Sequence, residues 1–222
     1  FISNDVNGKP ALRFSGGQWL YNSSNIGLNT DLTIITVVTN TDPSDDEYSI
    51  WLGSHIAHYG RGLGYYANHQ YFDTSGVGVA GGSAAGTNIF VTDATILNAT
   101  LSSVTLYRNG TESGSGSLSG AQNIPAGITV GAADNGFNAY WQGDIAEVLV
   151  YDHQLNSTEL AEVDGYLADK YGLFDPNMTW PMAYSSDIQV QIASHQWSKA
   201  QTDAYVAFLS TSPPVPAVGL AL

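Results

Sequence analysis

The sequence is divided into short segments of alternating or β-branched residues that are separated by glycine and asparagine, and this pattern limits the fold most. The chain has 24 glycines in 222 residues. Its strongest segment is 32–39, because stiff β-branched side chains fit a pleated surface. Further strands are predicted at 11–14, 18–21, 48–52, 62–67, 70–72, 76–80, 104–108, 128–131 and 143–151. The pattern predicts an all-β, antiparallel protein.

Two dipeptides predict tight hairpin turns. Asn109-Gly110 follows a predicted strand, and both residues accept the positive φ of a type I′ turn. Asn68-His69 is predicted to join the strands 62–67 and 70–72. In contrast, the segment around 114–116 is interpreted as a low-complexity turn because it consists of serine and glycine.

One segment has helical periodicity. Apolar residues recur in steps of three and four between 156 and 171, at Leu160, Val163, Tyr166, Leu167 and Tyr171. Asn156 and Glu159 have the spacing of a capping box, and Gly172 stands where a left-handed cap would end the helix. We therefore predict one short helix over 156–171.

The remaining residues differ in character, so we divide the chain into a domain, 1–173, and a C-terminal extension, 174–222. In the extension, segment 187–192 alternates strictly and predicts an edge or half-buried strand, and 197–209 predicts a short helix. Segment 213–222 is apolar, rich in proline and without charge. We expect an extended tail there.

Composition excludes several classes of partner. The net charge is −14, with 6 Lys and Arg against 20 Asp and Glu. Nucleic acids and anionic bilayers should therefore be repelled. The chain has no cysteine, which excludes disulfides, thiolate zinc sites and thiol nucleophiles. It also lacks an apolar run long enough for membrane insertion. The N-terminal residues 1–5 resemble neither a signal nor a transit peptide, so we expect a mature or trimmed chain, or a start elsewhere.

Three stretches carry a family resemblance: NGKPALRF at 7–14, VTLYRNG at 104–110, and GDIAEVLVYDHQLNSTELAEVDGYLADKYGL at 143–173. They resemble the laminin-G-like (LamG) domains of bacterial and environmental surface proteins, within the concanavalin A-like lectin/glucanase superfamily. The resemblance implies a jelly-roll β-sandwich with a curved binding face. Family members mostly bind glycans or proteins, sometimes with Ca²⁺.

The resemblance also leads us to expect that the family's usual first strand, before Asn7, is missing. A missing strand would leave unpaired backbone groups at a sheet edge, which invite pairing with another segment. Segments 188–192 and 215–222 are the candidate donors, within the same chain or a neighbouring one. Self-assembly through residues 187–222 follows as an expectation.

Sugar binding requires aromatic faces and planar polar groups on a rigid scaffold. Two regions supply such residues. The candidate ligand-binding residues are Trp51, His58, Tyr59, Arg61, Tyr66, Asn68, Asn138, Tyr140 and Trp141. The alternative is that these aromatic rings fill the core, and the adjacent pair Tyr65-Tyr66 must place one ring inside and one outside.

Catalysis is not predicted. Glucanases of this fold need paired carboxylates, and their Glu-x-Asp-x-x-Glu arrangement is absent. Asp144 and Glu147 are three residues apart and should face opposite sides of a strand. We interpret Glu147 as a structural residue that accepts a hydrogen bond from a neighbouring loop.

Calcium is the candidate cofactor, because hard cations need several oxygen ligands on flexible loops. The candidate ligands are Asp42, Asp45, Asp46 and Asp134. The alternative is that these carboxylates lie in solvated turns. Asparagine sequons, which would mark exposed surface in a glycoprotein, occur at Asn22, Asn98, Asn109, Asn156 and Asn177.

Together these features predict a non-catalytic module, extracellular or at a cell surface, that binds glycans or a surface protein in adhesion. The alternative is a structural subunit of an extracellular filament, appendage or virion that assembles through its C-terminal tail. A glycoside hydrolase or lyase is disfavoured because the carboxylate pair is absent.

Overall fold

The computed structural model describes residues 1–24, 31–53, 60–74, 78–84, 91–97, 102–118 and 127–173. The strands are β1 (Ile2–Val6), β2 (Lys9–Ser15), β3 (Leu20–Asn22), β4 (Leu32–Val38), β5 (Glu47–Gly53), β6 (Gly60–Tyr66), β7 (His69–Asp73), β8 (Gly78–Ser83), β9 (Val91–Leu97), β10 (Ser103–Arg108), β11 (Thr111–Ser117), β12 (Ile128–Val130) and β13 (Gln142–Tyr151). A 3-10 helix spans Asp134–Gly136, and the helix α1 spans Ser157–Tyr171.

The strands form two antiparallel sheets. One has seven strands in the order β1-β2-β13-β4-β9-β10-β11, and the other has six in the order β3-β12-β5-β6-β7-β8. Non-consecutive strands lie side by side in both sheets, which is the connectivity of a jelly-roll sandwich. The predicted fold class, an all-β antiparallel sandwich with one C-terminal helix, is confirmed.

The core lies between the two sheets. Ile34 and Leu106 of the seven-stranded sheet meet Ile50, Leu63 and Phe72 of the six-stranded sheet, and all five side chains are fully buried. Strands of both sheets therefore present one alternating face to this layer. Burial of these apolar groups is the main favourable contribution to folding.

Helix α1 covers the outer face of the seven-stranded sheet. Leu160 and Leu167 of the helix pack against Ile35 and Val37, so every residue of β4 is buried. Lys170 Nζ binds Glu147 Oε2 on β13 at 2.5 Å and holds the last turn of the helix in place. As a consequence, the outer face of the six-stranded sheet is the sheet surface that α1 leaves uncovered. None of the helices in the described part of the chain has the length and apolarity needed to span a membrane.

The ends of α1 are those that the sequence predicts. The Asn156 side chain accepts hydrogen bonds from the amides of Thr158 at 2.9 Å and Glu159 at 3.1 Å. Glu159 in turn accepts from the Asn156 amide at 2.9 Å, which completes the capping box. Gly172 ends the helix with φ 64°.

We expect Asn156→Ala to lower the free energy of unfolding by about 1 kcal/mol, because two helix amides lose their acceptor. Ser157→Ala at the neighbouring exposed position is the matched control. Urea unfolding of the full chain checks the difference. Equal stabilities of the two variants would show that the cap does not stabilise the fold.

The expectation that the first strand is missing is wrong. Strand β1 pairs with β2 across a turn at Asn7-Gly8, where φ is 47° and 73°. The sequence pattern failed because Ser3 and Asn4 are exposed on this edge strand, which leaves almost no apolar alternation to recognise.

Other local predictions have mixed outcomes. The Asn109-Gly110 turn is confirmed, with φ of 48° and 73°. The β6–β7 turn lies one residue earlier than expected, at Ala67-Asn68. Segment 114–116 belongs to strand β11 and is not a turn. The predicted elements at 187–192, 197–209 and 213–222 lie outside the described residues, so the domain division at 173 stays a prediction.

Candidate ligand-binding face

The outer face of the six-stranded sheet is built on a stripe of glycines in β6. A Cβ atom on Gly60 or Gly62 would lie 2.2 or 2.3 Å from atoms of the Trp51 ring. The indole therefore lies flat on the β6 backbone, and it is only 2% exposed. Tyr48 meets its edge with ring centroids 4.8 Å apart. The glycines make room for this aromatic layer on the sheet.

Residues 131–141 form a loop that covers part of this layer. Ala133 packs against Tyr48 and Trp51. The Asn135 amide donates to Thr129 Oγ1 of β12 at 2.7 Å, and the Tyr48 amide donates to the Ala139 carbonyl at 3.1 Å. The loop is thus fixed to the sheet mainly through its backbone, which leaves several of its side chains free to face solvent.

Four aromatic residues around this loop form what we call the aromatic platform: Trp19, Tyr21, Phe137 and Tyr140. Trp19, Tyr21 and Phe137 are 41%, 43% and 59% exposed. Tyr21 lies opposite Thr129 in the sheet register, so it belongs to the outer face.

The Trp19 ring is held in a defined position. It lies against Gly136, where a Cβ atom would come within 2.3 Å of the indole. Its Nε1 donates to Asn135 Oδ1 at 3.4 Å, and its centroid lies 5.9 Å from that of Tyr140. The Tyr140 hydroxyl donates to the Gly136 carbonyl at 2.6 Å. The platform therefore presents exposed, positioned rings beside the exposed residues Asn135 and Asn138.

A second group of aromatic and acidic residues lies farther along the same sheet, on β5–β7. Tyr66 is 50% exposed and lies 5.2 Å from Tyr71 between ring centroids. The Tyr48 hydroxyl donates to Asp73 Oδ2 at 3.3 Å. Loss of hydration around the Asp46 carboxyl raises its pKa, and the nearby charges of Asp73 and Asp45 raise it further.

Glu47, at the start of β5, is a buried carboxyl with three hydrogen-bond donors. It is 1% exposed and accepts from Asn40 Nδ2 at 2.6 Å and from the amide and Nε2 of Gln142, both at 3.0 Å. Burial raises its pKa to about 7, although these hydrogen bonds favour the ionised form. Glu47 thus joins β5 to β13 and is not accessible to a ligand.

Three predicted ligand residues are core residues. Trp51, Arg61 and Trp141 are 2%, 0% and 0% exposed. Trp141 packs on Tyr65 at 5.4 Å between centroids, and Arg61 Nη1 donates to the Gly60 carbonyl at 2.7 Å. Burial lowers the pKa of Arg61 to about 10. Their surfaces are used in packing, so these three residues do not lie on a ligand surface.

The other candidates fall into two places. Asn138 and Tyr140 lie at the aromatic platform, whereas Tyr66 and Asn68 lie at the β6–β7 hairpin. His58 and Tyr59 lie outside the described residues. The sequence did not single out Trp19, Tyr21 and Phe137, since Trp19 meets Asn135 across 116 positions and no local pattern reports such a contact.

The predicted calcium ligands do not form one cluster. Asp42 Oδ1 accepts from the Ser44 amide at 3.3 Å and its hydroxyl at 2.5 Å, which is an Asx-type turn. Asp45 and Asp46 are exposed on that loop, and Asp134 begins the 3-10 helix. Within the described ranges, no three His, Cys, Asp or Glu side chains are grouped so that they could hold a metal ion. Calcium stays a prediction.

The sequons occupy different environments. Asn22 is exposed on β3, Asn109 accepts from the Thr92 amide at 2.9 Å, and Asn156 is the helix cap. Asn98 and Asn177 lie outside the described residues. Glycosylation stays a prediction at all five positions.

The expectation that Asp144 and Glu147 face opposite sides is wrong. A bulge between Ile145 and Glu147 shifts the β13 register, so both carboxylates lie on the outer face of the seven-stranded sheet. Asp144 is bound by Arg13 through two hydrogen bonds of 2.8 and 2.7 Å. Glu147 accepts from α1 instead of a loop, with Tyr171 Oη and Lys170 Nζ both at 2.5 Å.

Comparison with known proteins agrees with this architecture. The model of the family Laminin_G_3, described as the concanavalin A-like lectin/glucanases superfamily, matches residues 19–161. A search of curated protein sequences found no match.

Three solved structures illustrate the similarity. The native heptameric SAP-like pentraxin of Limulus polyphemus has a TM-score of 0.59 at 13% identity, over 82% of this chain and 87% of that one. The Ruminococcus gnavus IT-sialidase CBM40 bound to α2,3 sialyllactose has 0.57 at 16%, over 70% and 97%. NanB sialidase of Streptococcus pneumoniae has 0.54 at 15%, over 69% of this chain but only 27% of the sialidase. At such identities the shared property is the fold.

Proposed function

The chain belongs to the laminin G-like family of the concanavalin A-like lectin/glucanase superfamily, and we propose that it is a non-catalytic glycan-binding module of the cell surface or extracellular space. The fold supports the proposal because lectin-like and carbohydrate-binding domains share it. A fold alone does not determine a function, so a binding site on the fold has to support the proposal.

The observation that carries the proposal is the aromatic platform. Sugar rings present apolar C–H faces that pack on aromatic rings, while their hydroxyls need planar hydrogen-bonding groups at the rim. Trp19 supplies an exposed ring that is already positioned by Gly136 and Asn135. Asn138 supplies an exposed amide nearby. A positioned ring loses little conformational entropy when a ligand binds.

The charges favour an uncharged glycan. Of the cationic side chains, Arg13 and Lys170 are bound to carboxylates, and Arg61 is buried. Arg108 of β10 contacts the six-stranded sheet, where its Nη1 donates to the Ser83 carbonyl and its guanidinium lies over the ring of the buried Tyr65. With a net charge of −14, the chain also repels anions at long range. We therefore propose neutral oligosaccharides as the ligand class.

The proposal gives no catalytic role to Asp144 and Glu147, the two neighbouring carboxylates of β13. A retaining glycosidase needs two carboxyl groups about 5 to 5.5 Å apart that are free to act on the substrate. Asp144 and Glu147 are each bound by a cation, and Glu147 lies beneath α1. Both carboxylates stabilise the fold.

We expect Trp19→Ala to weaken binding of neutral oligosaccharides by about tenfold or more, which corresponds to about 1.4 kcal/mol. The full chain would be titrated calorimetrically with cello-, xylo-, arabino- and galacto-oligosaccharides, and then with sialyllactose. Trp19→Phe, which keeps an aromatic face, should retain most of the affinity.

Tyr66→Ala is the matched control, since Tyr66 is also an exposed aromatic residue but lies at the β6–β7 hairpin. It should leave the affinity unchanged. If Tyr66→Ala abolished binding and Trp19→Ala did not, the site would have to be moved to the second aromatic group. Wild-type protein that bound none of these sugars would contradict the proposed ligand class.

The alternative function, a filament or virion subunit, has lost one support. It relied partly on a missing edge strand, and β1 occupies that position. The small share of charged residues, 12% of the chain, and the apolar C-terminal segment remain consistent with it.

A further inference from the structure

An apolar groove opens between the two sheets, on the side where β1 and β3 are the edge strands. Its volume is about 270 Å³. Its walls are apolar residues of both sheets, chiefly Pro10, Leu12, Ile145 and Val148 on one side and Leu20 and Val130 on the other. The charged residue at the groove, Glu147, is already bound to Lys170. A groove of this composition gains free energy when apolar side chains fill it.

The open backbone edge of β3 lies beside the groove. Among the described strands, β3 is the last of the six-stranded sheet and pairs with β12 alone. Leu20 of β3 is 54% exposed and lines the groove. A strand added to β3 would therefore bind the backbone groups that no described strand pairs with, and insert alternate side chains into the groove at the same time.

Segment 187–192 of this chain has the sequence that such a strand needs. Ile188, Val190 and Ile192 would face one side, and Gln189 and Gln191 would face the other. The apolar face suits the groove, and the glutamines suit the solvent. The other apolar segment, 213–222, contains Pro213, Pro214 and Pro216, which cannot donate to a ladder.

The chain leaves α1 within reach of the groove. Tyr171 Oη, at the end of the helix, donates to the Ala146 carbonyl at 3.0 Å, and Ala146 also lines the groove. Residues 174–186 then connect to the segment and can span roughly 40 Å when extended. Packed sheets lie about 10 Å apart, so a chain that passes from one sheet to the other around the edge must cover on the order of 10 Å. An intramolecular connection is therefore short enough.

We propose that residues 187–192 of the same chain add to β3 as a further strand and close the groove with Ile188, Val190 and Ile192. The C-terminal extension then completes the domain that precedes it. Its first part is a structural element of the sandwich and does not link neighbouring copies.

The absence of cysteine permits a direct test by disulfide trapping in the full chain. Leu20→Cys would be combined in turn with cysteine at 188, 189, 190, 191 or 192. Adjacent strands place paired Cα atoms within disulfide distance. We expect at least one even-numbered position to form an intrachain disulfide five times faster than positions 189 and 191, as read by non-reducing electrophoresis and mass spectrometry.

Equal trapping at all five positions would overturn the proposal, as would trapping that yields only disulfide-linked dimers. Hydrogen exchange gives an independent readout. Val190→Asp should speed exchange of the β3 amide that points away from β12 at least tenfold, whereas Gln189→Asp should not. Unchanged exchange in Val190→Asp would also overturn it. Neither readout depends on a sugar ligand, so failure here is distinct from failure of the proposed glycan binding.

Discussion

Gly64→Ala is expected to destabilise the protein by about 3 kcal/mol or more, which is the largest effect of any single substitution considered. A Cβ atom at this position would lie 1.8 Å from the Glu47 carbonyl oxygen and 2.7 Å from the Tyr48 Cα atom. Both are backbone atoms of the neighbouring strand, so a side-chain rotation cannot relieve the clash. The pairing of β5 and β6 beneath Trp51 would have to open.

Gly82→Ala provides the matched control for this prediction. Its Cβ atom would meet Ser113 at 3.7 Å, which is an ordinary contact. It should therefore change the free energy of unfolding by less than about 0.5 kcal/mol. Urea unfolding of the full chain, followed by tryptophan fluorescence, compares the two. The same urea midpoint for both variants would show that β6 can move away from β5 at little cost.

The second large effect is a dependence of stability on pH. Burial raises the pKa of Glu47 from 4.5 to about 7. It also raises the pKa of Asp164, a carboxyl on the buried face of α1 that is 3% exposed, from 3.8 to about 6. The folded protein therefore binds these two protons more tightly than the unfolded chain. Stability is highest when both groups are protonated and falls as pH rises from about 4 to 7. Each pKa unit corresponds to about 1.4 kcal/mol, so each group contributes on the order of 3 kcal/mol.

Amide variants should flatten this dependence. The side chains introduced by Glu47→Gln and Asp164→Asn cannot ionise, so each variant should remove its share of the loss of stability between about pH 4 and pH 7. Glu162→Gln, on the exposed face of α1, removes the same formal charge and is the control for net charge. The measurement is the free energy of unfolding in urea at unit steps of pH. A Glu47→Gln curve parallel to that of the wild type would contradict the role of Glu47.

Local features of the fold were predictable because their causes are local. Asn109 and Gly110 take the positive φ that the turn requires, and Asn156 and Gly172 bound the helix through contacts within a few residues. Strand β11 was missed because serine and glycine carry no apolar alternation. It needs small residues there, since a Cβ atom on Gly114 would approach the Ala80 carbonyl oxygen of β8 to 2.8 Å.

The candidate site was only partly predictable. Asn138 and Tyr140 lie on the loop beside Trp19, but Trp141 next to them points into the core, as the alternation of the backbone allows. Trp19 depends on a contact with a loop far along the chain. A sequence can name aromatic residues, but which face each ring occupies follows from the register of the sheets and from the glycines that lie opposite the rings.

The glycine stripe beneath Trp51 constrains which substitutions can occur at positions 51, 60 and 62. The indole ring occupies the space that side chains at positions 60 and 62 would need. A larger residue in place of Gly60 or Gly62 is therefore tolerated only if Trp51 is replaced by a smaller residue. Homologous sequences should therefore vary at these positions in concert, with a large ring opposite glycines or a small residue opposite larger ones. Homologues that keep the tryptophan should also keep glycine at the two β6 positions that lie against it.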